Sequence, residues 1–475
     1  MTLTSKVFSA GFWHSLAFAL AKLLSLVRLA VLARLLSHEE FGLMALVVLA
    51  VSSLWTLSDA GVNAAVVQKQ RPDAKWLHTA WHLNWMRGVL LGALCWSIAT
   101  PVAWFFHEAR LESLIHWAAL IPLIHGFMSL GYTLMQKTLD FKMRAFVDLS
   151  KELVFTVVAI CIALFWQADV LALLLGLIAG TVAAVVTSYL LHDYRPQIGF
   201  SWPYAREIWR FGLHLMGVGI LVFLITNLDD AVVGRMLGME KLGQYSMAFM
   251  LAGIITSQLV QLLNSILFPA MSGVQEDIAR MQRILSYTLR LVIGILTPIT
   301  LLVFLTPGLL IQTAVGEQWL VIAPAFVILV AMGWMRGVVT VFGPTLLALG
   351  RSNIMHRIKW IEFILFAVCI VPAVMFFGIE GAALTLLLGY TMSLILNVRA
   401  VTMLLGSIKP ALQEGLKAVV PSIIAFVVAA GLSVVVYPWT YGEWFVSGIF
   451  ILTWGMVFFF RERGFLGMLW TMRKA

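Results

Sequence analysis

The sequence predicts an all-α integral membrane protein of about fourteen transmembrane helices, each needing roughly 20 apolar residues. They are expected as two pseudo-symmetric six-helix lobes around a central cavity, with two more helices at the C-terminus. Three observations carry this expectation. Of 475 residues, 61% are hydrophobic and only 12% charged, with mean hydropathy +0.96, whereas soluble domains run near a quarter charged and about half apolar. Apolar runs of bilayer-spanning length recur from end to end. A helix–turn–helix pattern at residues 34–42 also returns at residues 235–243.

Measured against that length, the spans fall near 11–36, 42–65, 77–105, 113–135, 145–166 and 170–191. After a polar stretch they resume near 211–236, 244–267, 284–306, 319–348, 360–377, 381–398, 419–437 and 444–460. The first run is too long for a signal-peptide core and reads as a retained anchor. Connections rich in cations alternate with short ones almost free of them. The rich set includes Lys69, Arg71 and Lys75, then Lys137, Lys142 and Arg144, then Arg195, Arg206 and Arg210. It continues with Arg280, Arg283 and Arg290, then Arg351, Arg357 and Lys359, then Arg399, Lys409 and Lys417. The positive-inside rule puts this set, and with it both termini, in the cytoplasm. The excess of 32 Lys+Arg over 23 Asp+Glu is read as that topology signal and not as a nucleic-acid footprint.

The stretch 192–210 divides the chain. Beyond it Gly11, Arg34, Leu36, Glu39 and Gly42 reappear as Gly212, Arg235, Leu237, Glu240 and Gly243 at one constant offset. Six spans separate the copies, so both face the same way, as in parallel repeats related by an axis along the membrane normal. The expected organisation is an N-terminal lobe (1–191), a cytoplasmic linker (192–210), a second lobe (211–398), and two last helices with a tail (399–475).

No Walker A loop, His-Glu-x-x-His, Gly-x-Ser-x-Gly or Cys-x-x-Cys occurs, so neither a cofactor nor soluble-type catalysis is expected. Cys95, Cys161 and Cys369 lie far apart inside apolar runs and read as small core hydrophobes. Charges inside spans are costly and call for pairing or function. In the first span His14, Ser15, Lys22, Ser25 and Arg28 share one arc of roughly 140° at helical spacing, with Arg34 opposite. That face describes the wall of a wet, positive cavity; the competing reading pairs Lys22 and Arg28 with acids elsewhere. Polar stripes follow at Ser52, Thr56, Asp59 and Asn63, at His125, Ser129, Tyr132 and Gln136, and at Gln258, Gln261 and Asn264. Singly, each is explained by hydrogen bonds between helices; together they suggest a hydrated lumen. Arg87 and Arg336, each followed by glycine, are further intramembrane cations, and Lys359 with Glu362 reads as a helical ion pair. Trp81, Trp85, His78 and His82 suggest either an interfacial belt or a sugar-stacking surface. Asp229 stands at the repeat position of Arg28, and Arg28 is expected to meet Asp229 or Asp230 as a gate.

The residues of "VLARLLSHEEFGLMALVVLAVSSLWTLSDAGVNAAVVQKQ", "TNLDDAVVGRMLGMEKLGQYSMAF" and "LFPAMSGVQED" resemble the polysaccharide transporter family. That family lies within the multidrug/oligosaccharidyl-lipid/polysaccharide flippase superfamily, and the likeness is to its colanic-acid and xanthan type. It implies a multi-pass protein of the bacterial inner membrane that is not an enzyme. Such a protein flips undecaprenyl-diphosphate-linked oligosaccharide between leaflets by alternating access, among membrane lipids and beside the polymerase and export machinery of the same pathway. Lys22, Arg28, Arg87, Arg336 and Arg290 would then attract the diphosphate, since buried cations gain most from a multiply charged anion. Asp59, Asp229 and Asp230 are candidates for ion coupling or gating. Drug exporters of the superfamily rely on an acid in the first span, where this chain has Lys22 and Arg28. A drug or cation antiporter is therefore the first alternative. A membrane-embedded polymerase or acyltransferase is the second, disfavoured by short outer loops whose acids are Glu317 and Glu443.

Overall fold

The computed structural model describes residues 3–58, 61–138, 140–436 and 442–472. Side chains are described throughout these except at 3–12, 14, 57, 211–222, 255, 257–266, 268–269, 434–436 and 459–472. Asp59, and the side chains of His14, Gln258, Gln261 and Asn264, therefore lie outside the described residues.

Among the described residues the chain is nearly all helix, without strands. In order the helices are α1 (Leu3–Leu35), α2 (His38–Leu57), α3 (Val62–Gln68), α4 (Ala74–Phe106), α5 (Arg110–Ala118) and α6 (Leu120–Gly126). Then come α7 (Gly131–Lys137), α8 (Phe141–Phe165), α9 (Val170–Leu190), α10 (Trp202–Leu237), α11 (Met239–Ser272) and α12 (Ile278–Leu305). The rest are α13 (Pro307–Ala314), a 3-10 turn (Glu317–Ile322), α14 (Ala323–Thr340), α15 (Phe342–Ala348), α16 (Ser352–Leu405), α17 (Lys409–Val436) and α18 (Gly442–Met472).

Among the described residues eight helical segments are long and apolar enough to cross a membrane, and α5–α6 with α7, bent by 56°, makes a ninth. One of the eight, α16, has 54 residues, about 80 Å at helical rise, far beyond a hydrocarbon core of about 30 Å. It is in fact two helices joined at Gly378, whose φ of 59° lies in the left-handed region that glycine enters freely. Beyond the corner, a Cβ on Gly381 would collide with the Ala373 carbonyl, so the hairpin closes backbone to backbone. α8 is not among these segments because of its charges, Lys142, Arg144, Asp148, Lys151 and Glu152, and these residues matter below. Outward faces carry large apolar side chains such as Phe376 (81% exposed), Met403 (81%) and Leu452 (75%). Such surface is stable against lipid and not against water.

The chain forms two compact units, Met1–Ser246 and Met247–Ala475. In the first, α8 packs against α1 and α9, α4 against α5 and α6, and α10 against α2, α3 and α4. Gly88 makes the α4–α6 crossing possible: a Cβ there would sit 2.6 Å from the Gly126 Cα. In the second unit α12 packs on α14 and α17, α14 on α16, and α17 on α18, around a core that includes Leu285, Leu289, Val292, Phe342 and Val401.

The repeated turn is built twice, by different means. Ser37 caps α2, accepting from the Glu40 amide while Glu40 Oε2 accepts from the Ser37 amide at 2.7 Å, a reciprocal capping box. In the second copy Gly238 and Lys241 stand at those positions, so the box is absent and Gly238 turns with φ 84°. The two copies meet within the first unit. A Cβ on Gly42 would lie 2.8 Å from the Met239 carbonyl carbon, and one on Gly243 2.8 Å from the His38 carbonyl carbon. Because Met239 is the repeat partner of His38, the contact is symmetric. Gln244 adds a hydrogen bond to His38 Nδ1 at 3.2 Å.

Residues 192–201 are tied to the start of α4. The Tyr194 hydroxyl donates to the Leu77 carbonyl, and the Ser201 amide donates to Thr79 Oγ1 at 3.1 Å. Asp73 caps α4 through the Trp76 amide and accepts from the Tyr204 hydroxyl at 2.7 Å. The Tyr204 hydrogen bond first, and the Trp76 amide second, hold the Asp73 carboxyl below its usual range. A depressed carboxyl stabilises the fold above its unfolded pKa, and the contribution fades as pH falls through the lowered folded value. Asp73→Ala is expected to raise proteolysis at 192–201 several-fold at neutral pH, with the difference from wild type shrinking in acid; limited digestion of membranes at both pH values checks it.

Candidate functional site

The charged residues of the first unit converge where α1 meets α8. On α8, Arg144, Asp148, Lys151 and Glu152 recur at helical spacing and form one polar face. Arg28 on α1 reaches that face. Its guanidinium donates to Glu152 Oε2 at 3.0 Å and to Thr156 Oγ1 at 3.2 Å, and lies 3.6 Å from the centre of the Phe155 ring. Lys22, two turns earlier, is half-buried and within electrostatic reach of the same Glu152. The expected pairing of Arg28 with Asp229 or Asp230 is corrected here: the partner is Glu152. Asp229 is instead buried against α11, accepting from the Tyr245 hydroxyl at 2.6 Å, while Asp230 accepts from Ser246 at 3.3 Å. An equal repeat position fixes depth but not the direction in which a side chain points.

Two spans of the first unit are broken at one level. α2 ends at Leu57 and α3 restarts at Val62 after Gly61, which takes φ 58°. α6 ends at Gly126 and α7 restarts at Gly131. Breaking a helix within a bilayer frees carbonyls that need donors, and Arg87 supplies them. Its Nη2 donates to the Trp55 carbonyl at 2.8 Å and its Nε to Ser58 Oγ at 3.0 Å, with the guanidinium 5.2 Å from the Trp55 ring centre. A cation at a helix C-terminus also meets the negative end of the helix dipole. Arg87 is thus partly a strut for the broken span.

Three cavities adjoin these groups. One of about 200 Å³ lies between the breaks, lined among others by Asn84, Arg87, His125, Ser129, Tyr132 and Thr133. A second, of about 390 Å³, is more apolar, with Val47, Val51 and Leu177 beside Ser52, Thr56 and Lys151. Trp55 and His125 line both, their rings edge to face with centroids 4.5 Å apart. A third, of about 250 Å³, lies between α1 and α8 over Arg144, Asp148, Lys151 and Glu152. Tyr132 donates to Asp148 at 2.8 Å while the Arg144 guanidinium lies 4.6 Å from the Tyr132 ring centre. Lys151 borders the second and third cavities, and among the described residues neither a hydrogen bond nor an ion pair reaches its ammonium group.

Asn63 of the second span's stripe accepts from Thr133, the neighbour of Tyr132 in the fourth span, at 3.0 Å, so the two broken spans meet. Asp148, Lys151 and Glu152 fall inside the span expected at 145–166, where the sequence reading singles out none of them, and Arg144 reads as a loop cation. The available signal was the i, i+4, i+7, i+8 spacing from Arg144, which puts all four on one side of a span. Trp81 and Trp85 are spent on packing: Trp81 Nε1 donates to the Tyr189 hydroxyl, and Trp85 stacks on Phe127. In the second unit Arg290 binds Glu414 at 2.7 Å, and Glu414 also accepts from Lys417 at 2.6 Å. That triad ties α12 to α17. Arg336 is half-buried on α14, and among the described residues neither a hydrogen bond nor an ion pair engages its guanidinium. Lys359 and Glu362 form the expected pair at 2.9 Å.

Several known proteins share this plan. The chain is 27% identical over 399 residues to the lipopolysaccharide biosynthesis protein WzxC of Escherichia coli (strain K12), covering 84% of this chain and 80% of that protein. It is 26% identical over 365 residues to the succinoglycan biosynthesis transport protein ExoT of Rhizobium meliloti (strain 1021), covering 76% and 72% respectively. Among solved structures, the lipid II flippase MurJ in its inward closed conformation superposes with a TM-score of 0.73 at 12% identity, over 95% of this chain and 99% of that one. That likeness is one of fold; the apolar helices and the relatives together mark a multi-pass membrane protein. The profile of the family described as "Polysaccharide biosynthesis protein" matches residues 31–324, well over half the chain, and this protein belongs to that family.

Proposed function

We propose that this protein flips undecaprenyl-diphosphate-linked oligosaccharide repeat units across a bacterial inner membrane, by alternating access, for exopolysaccharide or lipopolysaccharide biosynthesis. The observation that carries the reading is the excess of cations on the face between α1 and α8 and in the adjoining cavities. Lys22, Arg28, Arg144 and Lys151 stand there, with Arg87 in the neighbouring cavity wall, against only Asp148 and Glu152 among the described residues. In a low-dielectric surrounding an excess of fixed cations favours a multiply charged anion. A diphosphate fits that surplus, and a cationic drug does not. The family membership and the names of the relatives point the same way, toward a transporter and not an enzyme.

Lys22, Arg28 and Arg87, together with Arg336 and Arg290 from the second half, are the residues assigned to the diphosphate, and Lys151 joins them. Arg28 and Arg290 hold Glu152 and Glu414 until the cargo competes for them. Asp59, Asp229 and Asp230 are assigned to coupling or gating; a carboxylate buried as Asp229 is, at 2% exposure, is costly to keep charged. The lobes are residues 1–191 and 211–398 about the linker 192–210, with the last two helices beyond 399, fourteen crossings in all and both termini cytoplasmic. The polymerase and export proteins of the pathway are the expected neighbours.

Deleting the gene should make the complete lipid-linked repeat unit accumulate on the cytoplasmic leaflet; failure to build the unit at all would instead indicate a biosynthetic enzyme. A Lys22→Gln, Lys151→Gln double variant should reach the membrane at normal levels yet export less than about a tenth of the wild-type polysaccharide, since each cation near an anion contributes about 1 kcal/mol or more. Export at wild-type levels would remove both lysines from the mechanism.

A further inference from the structure

The 200 Å³ cavity between the two broken spans differs in chemistry from the cationic face beside it. Arg87 stands in its wall, and the other polar lining groups are carboxamides, hydroxyls and an imidazole that can donate and accept hydrogen bonds. Asn84 projects from α4, half-buried, and among the described residues its side-chain amide has no hydrogen-bond partner. Asn63, which also lines the cavity, uses its Oδ1 to accept from Thr133. Among the described residues no Asp or Glu lines the cavity. Polar groups facing an enclosed space are stable only when a ligand or water satisfies them.

A phosphate only accepts hydrogen bonds, so the amide oxygen of Asn84 offers it nothing. A hydroxyl both donates and accepts, and matches a carboxamide at either end. The cavity is also smaller than the roughly 300–1,000 Å³ clefts that take drug-sized ligands. A single sugar ring suits that space, and an oligosaccharide does not. Its position fits as well. The Trp55–His125 ring pair divides this polar cavity from the larger apolar one that Lys151 borders, so a group held here lies next to the cations. The α2–α3 break comes 20 residues after the Ser37 turn, about 30 Å along the helix. That is the cytoplasmic side in the orientation proposed above, where cargo would load.

We propose that this cavity is a saccharide subsite that receives one sugar ring of the cargo, with the Asn84 and Asn63 amides recognising its hydroxyls beside Arg87. The assignment rests on the flippase reading and deepens it: the diphosphate supplies affinity, and this pocket supplies discrimination among glycans. A site built to bond a hydroxyl rejects a ligand lacking it, because the site's own polar groups are then left unsatisfied.

The test compares bare undecaprenyl diphosphate with the same carrier bearing one sugar, using a panel of glucose, galactose and N-acetylglucosamine. Affinity is measured on the full chain in lipid nanodiscs. Wild type should bind at least one glycosylated probe about tenfold more tightly than the bare carrier, equivalent to about 1.4 kcal/mol. Asn84→Leu should bring that ratio close to one while leaving bare-carrier affinity within about twofold. Asn84→Ala, which removes the amide without leucine's bulk or any added charge, should do the same and guards against misfolding of the first variant. A ratio near one in wild type across the panel, or a wild-type ratio in both variants, overturns the subsite alone. Failure of wild type to bind the bare carrier would instead overturn the flippase reading, and the subsite with it.

Discussion

Alanine at Gly42 or Gly243 is expected to reduce export at least tenfold, and the double substitution to abolish it, with little change in the amount of protein in the membrane. The added Cβ would lie 2.8 Å from a carbonyl carbon of the opposite turn and closer still to its oxygen. Real Cβ atoms do not tolerate that approach, and the obstacle is backbone, which cannot rotate aside as a side chain can. The two turns must therefore separate. Each substitution should also break the His38–Gln244 hydrogen bond. A His38→Cys, Gln244→Cys pair, placed in a background with Cys95, Cys161 and Cys369 replaced by Ser, gives a direct readout. The pair should crosslink readily with glycine at 42 and poorly with alanine there. Unchanged crosslinking in the alanine variant would show that the turns accommodate a methyl group and that their contact is not the constraint on transport.

Exchanging the charges of the α1–α8 pair, with Arg28→Glu and Glu152→Arg combined, is expected to preserve the fold and still lose at least nine-tenths of export. The side chains are 13% and 25% exposed. Removing one partner from a fully buried pair costs about 3–5 kcal/mol, and this partly exposed one should cost about 1–3 kcal/mol. Arg28→Glu alone and Glu152→Arg alone should each lower the melting temperature by several degrees, as two like charges are forced together. The combined variant restores the attraction and should melt near wild type. It nevertheless moves the cation from α1 to α8 and puts a carboxylate beside Lys22, so an anionic cargo meets a rearranged field. Thermal melting by tryptophan fluorescence, together with export measured as secreted polysaccharide, separates the two effects. Full export from the exchanged pair would make Arg28–Glu152 a static strut.

Much of the candidate site was legible in the sequence as residue types at the right depth. The Lys22–Arg28 face, the stripe Ser52–Thr56–Asn63 and the stripe His125–Ser129–Tyr132 follow from helical spacing within one segment, and all of them border the cavities or the ion pair. Lys359 and Glu362 were equally readable, being one turn apart on a single helix. The face of α8 was hidden by its composition. Arg144 at its start resembles a loop cation, and no local motif singles out Asp148, Lys151 and Glu152 inside the span expected at 145–166.

What the sequence determined by itself is therefore what depends on local geometry: the membrane-spanning class, the repeat of the turn and the azimuth of each polar stripe. A 3.6-residue period and a fixed rise per residue are properties of one helix, and they need no knowledge of its neighbours. Only the tertiary structure decided that Glu152 and not Asp229 pairs with Arg28, that Arg87 caps the broken α2, and that Gly42 and Gly243 meet. Each of these depends on how two helices cross and rotate against one another. Small residues at the crossings set those angles: Gly88 against Gly126, and Gly42 against Met239. A contact between segments more than a hundred residues apart, such as Arg28 with Glu152, is set by packing that spacing along the chain does not encode.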